Sequence, residues 1–168
     1  HQPAPMVFAG KVLADVVRLI KGDRYRSRLI SKIMFGAYNK RIKNVRTVND
    51  WLTRDEAVVD EYNAGKLTTF LFTVNGYRGL MNMILYVRKP RNIERIPKNL
   101  PMLMISGLDD PVGEYGKGVY RAYNSYHGHI DDIDLRLYED CRHELCNELN
   151  KEEIYEEIYG WIMNHMSK

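Results

Sequence analysis

Residues 100–113 read LPMLMISGLDDPVG and residues 133–144 read IDLRLYEDCRHE. In the first, Met102–Ser106 is a short unbroken apolar run held between Pro101 and Gly107. A run of that length between breakers suits a buried parallel strand. In the second, Ile133, Leu135 and Leu137 alternate with Asp134 and Arg136, the period of a strand nearer a sheet edge. A helix is expected between them, from about Gly116 to Tyr126. Past the second strand, Asn150 with Glu153 three residues later reads as a capping box. It opens a terminal helix bearing Ile154, Tyr155, Ile158, Trp161 and Ile162. Strand, helix, strand, helix implies a parallel pair with a right-handed crossover. Two strands are too few for a parallel sheet covered on both faces, so more sheet is expected from elsewhere, or has been removed.

Upstream the period changes. Lys11–Lys21 predicts a helix with Val12, Leu13, Val16, Val17, Leu19 and Ile20 on one broad face and Gly22 as its stop. Ser27 predicts an N-cap for a second helix carrying Leu29, Ile30, Ile33 and Met34, closed by Gly36. Residues 37–54 lose all periodicity and are polar and basic around a single Trp51. Asp55 should cap a short helix through Tyr62. A longer one follows from about Thr73 to Arg88, with Tyr77, Leu80, Met81, Ile84 and Leu85 at core spacing. The opening Pro3-Ala4-Pro5 reads as a turn. No internal repeat or low-complexity linker interrupts the chain.

The 168 residues hold 25 Lys and Arg against 22 Asp and Glu, with 45% hydrophobic side chains. That composition excludes disordered, collagenous and disulfide-scaffold classes. No apolar stretch approaches the ~20 residues a bilayer-spanning helix needs. The first residues lack the charged and apolar regions of a secretory signal. The chain starts with His1 rather than Met, as a processed precursor, a trimmed chain or a fragment would. Cys141 and Cys146 match no zinc or redox spacing. They read as free thiols suited to a reducing compartment, and a cytoplasmic location is expected. Charge is uneven: residues 1–54 carry 12 Lys and Arg against 3 Asp and Glu, residues 55–168 carry 13 against 19. Such a split marks two subdomains or a basic face offered to an anionic partner.

In open α/β sheets, function gathers beyond the carboxyl ends of the strands. Those ends here are Ser106–Gly113, containing Asp109 and Asp110, and Glu139–Glu144, containing His143. Consecutive parallel strands would set the two loops side by side. A carboxylate accepting from one imidazole N–H fixes the tautomer and frees the other nitrogen as a general base. That is the acid–base part of a triad in the order Ser…Asp…His. The plainer reading is an aspartate turning the chain before Pro111 and a surface histidine before an acidic helix.

SGLDDPVG at 106–113, GKGV at 116–119 and LYEDCRHELCNE at 137–148 together resemble the C-terminal half of a known group of enzymes. These are α/β-hydrolases of the lysophospholipase and monoacylglycerol-lipase type, the serine aminopeptidase S33-like group. FGAYNK at 35–40, RTVNDWLTRDEAVVDEY at 46–62 and FTVNGYRGL at 72–80 look like the cap inserted into that fold. The resemblance spans nearly the whole chain. It implies an α/β class and a partial α/β-hydrolase fold: a helical cap over 1–98, then two C-terminal parallel strands with flanking helices over 99–168. It implies Asp110, directly before Pro-Val, as the catalytic acid, with Asp109 as the fallback of the doubled pair. His143 becomes the base, and no cofactor is called for.

The chain departs from the family at the nucleophile, which sits in a Gly-x-Ser-x-Gly elbow. None of Ser27, Ser31, Ser106, Ser125 and Ser167 lies in that motif. Ser106 comes nearest, at a strand end, but it precedes the acid and lacks both glycines in place. The oxyanion hole, which uses the N–H after the nucleophile, goes with it. The expectation is the C-terminal portion of a serine hydrolase cleaving lipid-like carboxylic esters, inactive alone because the nucleophile half is absent. Its partners would be the ester substrate and the missing N-terminal half of the fold or a dimer mate. A reading from another class is a non-catalytic α/β module that binds or assembles through its open sheet edge.

Further patterns carry weaker signals. HGHIDD at 127–132 looks superficially like a metal box, but its last position is Asp and further ligands are wanting, so turn polarity explains it better and no metal is expected. Arg24, Arg26, Arg28, Lys32, Lys40, Arg41, Lys43 and Arg46 lack a groove-reading motif and interleaved aromatics beyond Tyr25 and Tyr38, so no nucleic-acid partner is expected. A solvated helix face is the commonest role for such a run; in the resembled group it would also suit peripheral contact with an anionic membrane surface. Met34, Phe35, Phe70, Phe72, Met81 and Met83 suit core packing or an acyl-chain pocket. Trp51 is either a cap anchor or a pocket wall.

Overall fold

The computed structural model describes residues 3–166; His1 and Ser167, on which two of the readings above touch, lie outside the described residues. Helices α1 (Ala4–Lys21), α2 (Arg28–Phe35), α3 (Glu56–Ala64), α4 (Val74–Val87) and α5 (Pro90–Ile93) come first. Strand β1 (Met102–Gly107), α6 (Lys117–His127), β2 (Ile133–Tyr138) and α7 (Lys151–Met166) complete the order.

The helix starts follow local chemistry. Ser27 Oγ accepts from Ile30 N, Asp55 from Ala57 N and Val58 N, and Thr73 Oγ1 from Gly76 N, each satisfying amides that have no partner within the helix. α1 begins at Ala4, not Lys11, because Pro3 occupies the N-cap and Pro5 the first turn. A missing N–H costs nothing there, so the prolines start the helix instead of preventing it. Residues 37–54 are irregular apart from one 3₁₀ turn over Tyr38–Arg41.

α1 lies against α4, burying Val7, Ala14, Val74, Tyr77 and Met81 together with Ile30 of α2. Asp15 on α1 is paired with Lys11 and with Arg78 of α4. An antiparallel bridge between Arg26 and Thr73 closes this helical unit, with Val74 N donating to Tyr25 O at 2.7 Å.

β1 and β2 are parallel, with Met102 opposite Ile133 and Gly107 opposite Tyr138; α6 makes the crossover. Cys141, Leu145 and Ile154 form a second core with Ile105, Tyr138 and Ile158. α7 is fixed to β2 by Trp161 Nε1 donating to Asp134 at 2.7 Å and by Arg136 pairing with Glu157 at 3.2 Å. It starts where expected, but Asn150 Oδ1 is taken by Arg54 Nη2 at 2.9 Å and the Cys141 thiol at 3.4 Å in place of the anticipated capping box. The fold is α/β: a helical region followed by two parallel strands with flanking helices.

Candidate active site

The loops after β1 and β2 stay in contact beyond the sheet. Leu108 N donates to Tyr138 O at 2.8 Å and Asp109 N to Cys141 O at 2.9 Å. Gly107 makes that approach possible. A Cβ there would stand 2.0 Å from Cys141 O and 2.3 Å from Arg142 O, inside any tolerable contact.

The turn delivers Asp110 to His143. Asp110 is 5% exposed. Its Oδ1 accepts from Val112 N at 2.7 Å and its Oδ2 lies 3.1 Å from His143 Nδ1. Asp109, the neighbouring carboxylate, faces a different hollow of about 400 Å³ lined with Tyr38, Arg41 and Tyr115. With Nδ1 committed to Asp110, Nε2 is the nitrogen left for proton exchange, and the imidazole side chain keeps 37% of its exposure. On geometry the pair can hold one tautomer and stabilise an imidazolium as it forms.

Residues 38–54 furnish the wall around the imidazole. The Trp51 ring lies 5.2 Å from that of His143, and Tyr38 packs edge-on to Trp51 at 4.9 Å. Burial, and then the Asp110 charge nearby, push the Tyr38 phenol above its usual range. It therefore stays a neutral wall at any ordinary pH.

The same stretch grips the His143 loop through a carboxylate the sequence did not single out. Glu148 is fully buried. It accepts from Arg142 N at 2.7 Å and from Arg54 Nε at 2.9 Å. Arg142 Nη1 donates to the carbonyls of Asp50 and Thr53 at 2.7 and 2.9 Å, and Glu144 N to Leu52 O at 2.7 Å. Both neighbours of His143 are thus tied to residues 50–54. Burial is the largest influence on Arg54 and works against its charge, but the Glu148 hydrogen bond and the charges of Glu148, Cys141 and Asp140 together outweigh it and raise its pKa. Burial likewise opposes the Asp50 charge, yet bonds from Thr47 and the Arg46 amide hold its pKa below the usual carboxylate value. Glu148 and Arg54 stand 94 positions apart, so no local pattern could have linked them.

A family model described as serine aminopeptidase, S33, matches residues 4–150. The chain belongs to that family. No curated protein matches it. A highly thermostable carboxyl esterase from Bacillus coagulans, solved in complex with glycerol, shares the fold with a TM-score of 0.82 at 21% identity, over 97% of this chain and 52% of the esterase. A lipase in its open form gives 0.80 at 20% identity, over 94% of this chain and 51% of the lipase. This S33 chain therefore spans about half the length of those two structures.

Within the S33 chain, three of the described serines are engaged elsewhere, and Ser31 lines the cavity beside Trp51. Ser27 caps α2. Ser125 donates to Arg121 O at 2.7 Å, and Ser106, 8% exposed, has its Oγ 3.4 Å from Gly107 O. A cavity of about 1020 Å³ opens on the other side of Trp51, lined by Phe35, Tyr62, Phe70, Phe72 and Leu80, with Arg28 and Lys32 also at its wall. Trp51 thus serves as both anchor and pocket wall. Met81 is core and Met83 is exposed. Of the HGHIDD run, His129 Nε2 sits 2.7 Å from Ile96 O. Among the described residues no group of three His, Cys, Asp or Glu is placed to hold a metal.

Proposed function

We propose that this S33-family chain is the cap and acid–base half of a serine hydrolase that cleaves lipid-like carboxylic esters of the lysophospholipid or monoacylglycerol type. The observation that carries the reading is the 3.1 Å contact between Asp110 and His143 Nδ1 at adjacent strand ends. In this reading residues 1–98 are the cap and 99–168 belong to the catalytic core.

The chemistry needs a serine supplied by sequence outside these 168 residues. Its Oγ attacks the acyl carbonyl as His143 Nε2 takes its proton, with Asp110 orienting the imidazole and stabilising its charge. The tetrahedral intermediate collapses, and His143 gives the proton to the departing alcohol. Water then repeats the sequence on the acyl-enzyme, releasing the carboxylic acid and restoring both serine and neutral histidine. The apolar cavity behind Trp51 would take the acyl chain. Unpaired Cys141 and Cys146 suit a reducing compartment, and we assign the protein to the cytoplasm on that ground.

A fluorophosphonate probe tests the division of labour. The 168-residue chain should give no adduct. A longer protein carrying the upstream sequence should label at a serine in a Gly-x-Ser-x-Gly elbow, and Asp110→Asn in it should lower kcat by about 10⁴-fold. Labelling of Ser27, Ser31, Ser106, Ser125 or Ser167 in the short chain overturns the proposal. A panel of long-acyl esters, short esters and peptides on the longer protein tests the substrate class, with the long-acyl esters turned over fastest.

A further inference from the structure

We infer that Arg54 is a positioning residue for His143, acting through the buried Glu148, so that residues 50–54 set where the imidazole stands. The inference deepens the reading above and rests on it for the reaction, while the contacts stand on geometry alone. β2 makes its last pairing at Tyr138. Beyond it, the last hydrogen bond exchanged with the β1 loop runs from Asp109 N to Cys141 O at 2.9 Å. His143 lies two residues further on. The amides on either side of it turn to other partners: Arg142 N donates to Glu148 Oε1 at 2.7 Å and Glu144 N to Leu52 O at 2.7 Å. The imidazole itself meets Asp110 at 3.1 Å and the Trp51 ring at 5.2 Å. The base is thus placed by Asp110 from one side and by residues 50–54 and Glu148 from the other.

Arg54 decides the state of that second support. Glu148 is fully buried, and its two oxygens divide the task. Oε1 takes the Arg142 amide, and Oε2 takes the Arg54 Nε–H at 2.9 Å. The far end of the guanidinium donates to Asn150 Oδ1 at 2.9 Å, so the fork is held at two points. A buried carboxylate that loses its cation must take up a proton, admit water or move. Each of these changes the acceptor of the amide next to His143. The segment that carries Arg54 is itself stiff. Asp50 is 5% exposed and accepts from Arg46 N at 2.6 Å and from Thr47 Oγ1 at 2.6 Å. Thr53 Oγ1 donates to Asn147 O at 2.7 Å, and Arg46 pairs with Asp60 of α3 at 2.7 Å. With residues 1–98 as the cap, the cap holds the base and the core holds the acid. A shift of about 1 Å between them is enough to slow the reaction by on the order of 100-fold.

Nitrogen-15 correlation spectra of the 168-residue chain in alkaline buffer read the tautomer of neutral His143, with His143→Gln assigning its signals. The wild-type ring should carry its proton on Nδ1, facing Asp110. Arg54→Ala should move population toward the Nε2–H tautomer. In a longer, active protein the same variant should lower kcat by about 10- to 100-fold and leave KM within about twofold. Glu148→Gln should act in the same direction less strongly, and it decides the matter if circular dichroism shows that Arg54→Ala does not fold. Ile30→Val, in the core shared by α1, α2 and α4, lowers stability without touching these contacts and should leave tautomer and kcat unchanged. A folded Arg54→Ala chain that keeps the Nδ1–H tautomer overturns the inference, as does one that keeps kcat. An equal loss of kcat in Ile30→Val overturns it too, since stability alone would then account for the effect. A longer protein that cleaves no ester sinks the hydrolase reading instead, and the tautomer in the short chain still decides whether Arg54 positions His143.

Discussion

Glu148 is the residue on which the His143 loop turns. It is fully buried, yet it receives a guanidinium and the amides of Arg54, Arg142 and Leu149. A buried carboxylate is tolerated only while it is paired, and removing one partner leaves the other charge uncompensated. Arg54→Ala should therefore destabilise the chain by about 3 kcal/mol, read as a lower urea midpoint at unchanged slope. Glu148→Gln keeps an acceptor oxygen and should cost about 1–2 kcal/mol. Equal losses from the two would mean that the charge itself matters little. The strand ends alone put Asp109, Asp110 and His143 in neighbouring loops, and it is the resemblance carried by SGLDDPVG and LYEDCRHELCNE that singles out Asp110 and His143. Glu148 and Arg54 carry no such signal. Each is one of 47 charged residues, and only the fold brings them together.

At the scale of elements, what matters is how closely the ends of β1 and β2 converge. Gly107 was legible as a breaker, but its role is steric: the carbonyls of Cys141 and Arg142 occupy the space of a side chain. Gly107→Ala must push the two loops apart, because backbone cannot swing aside as a flexible side chain can. The expected loss is about 3 kcal/mol. In a longer, active protein it should lower kcat more than Arg54→Ala does, since it separates Asp110 from His143 directly. A smaller loss of activity than for Arg54→Ala would place the convergence elsewhere.

β2 and α7 offer a pH test of their own. Burial, and then the hydrogen bond to Glu157, push the Tyr138 phenol from 10.0 up to about 12. A raised folded-state pKa adds stability in full below the unfolded value, and that share is lost as pH climbs from 10 through 12. Wild type should thus lose stability over that alkaline window, and Tyr138→Phe should lose less of it, as seen in thermal melts across the range. Helix starts at Ser27, Asp55 and Thr73 were legible because capping is short-range. The early start of α1 was not, because the same prolines serve a turn or a first helical turn.

For the whole molecule, the question is which edge of the sheet is open. Met102 N donates to Asp132 O and Leu108 N to Tyr138 O, so the even-numbered amides of β1 face β2. By the alternation of a strand, Leu103 and Ile105 point their backbone groups away from it. On β2 the same register leaves Leu135 and Leu137 pointing outward. The sequences of the two strands treat these edges differently. β1 is apolar throughout, as a central strand is. β2 alternates, and the side chains of Asp134 and Arg136 are held by α7, as on a terminal strand. If upstream sequence completes the sheet, it must add to β1. Hydrogen exchange should then show Leu103 and Ile105 amides exchanging fast in the 168-residue chain and slowing by about 100-fold or more in a longer protein that carries the upstream half. Leu135 and Leu137 should stay fast in both. Protection of Leu103 and Ile105 in the short chain, falling on dilution, would instead show β1 pairing with a second copy. That result would favour an assembly module over half of a hydrolase.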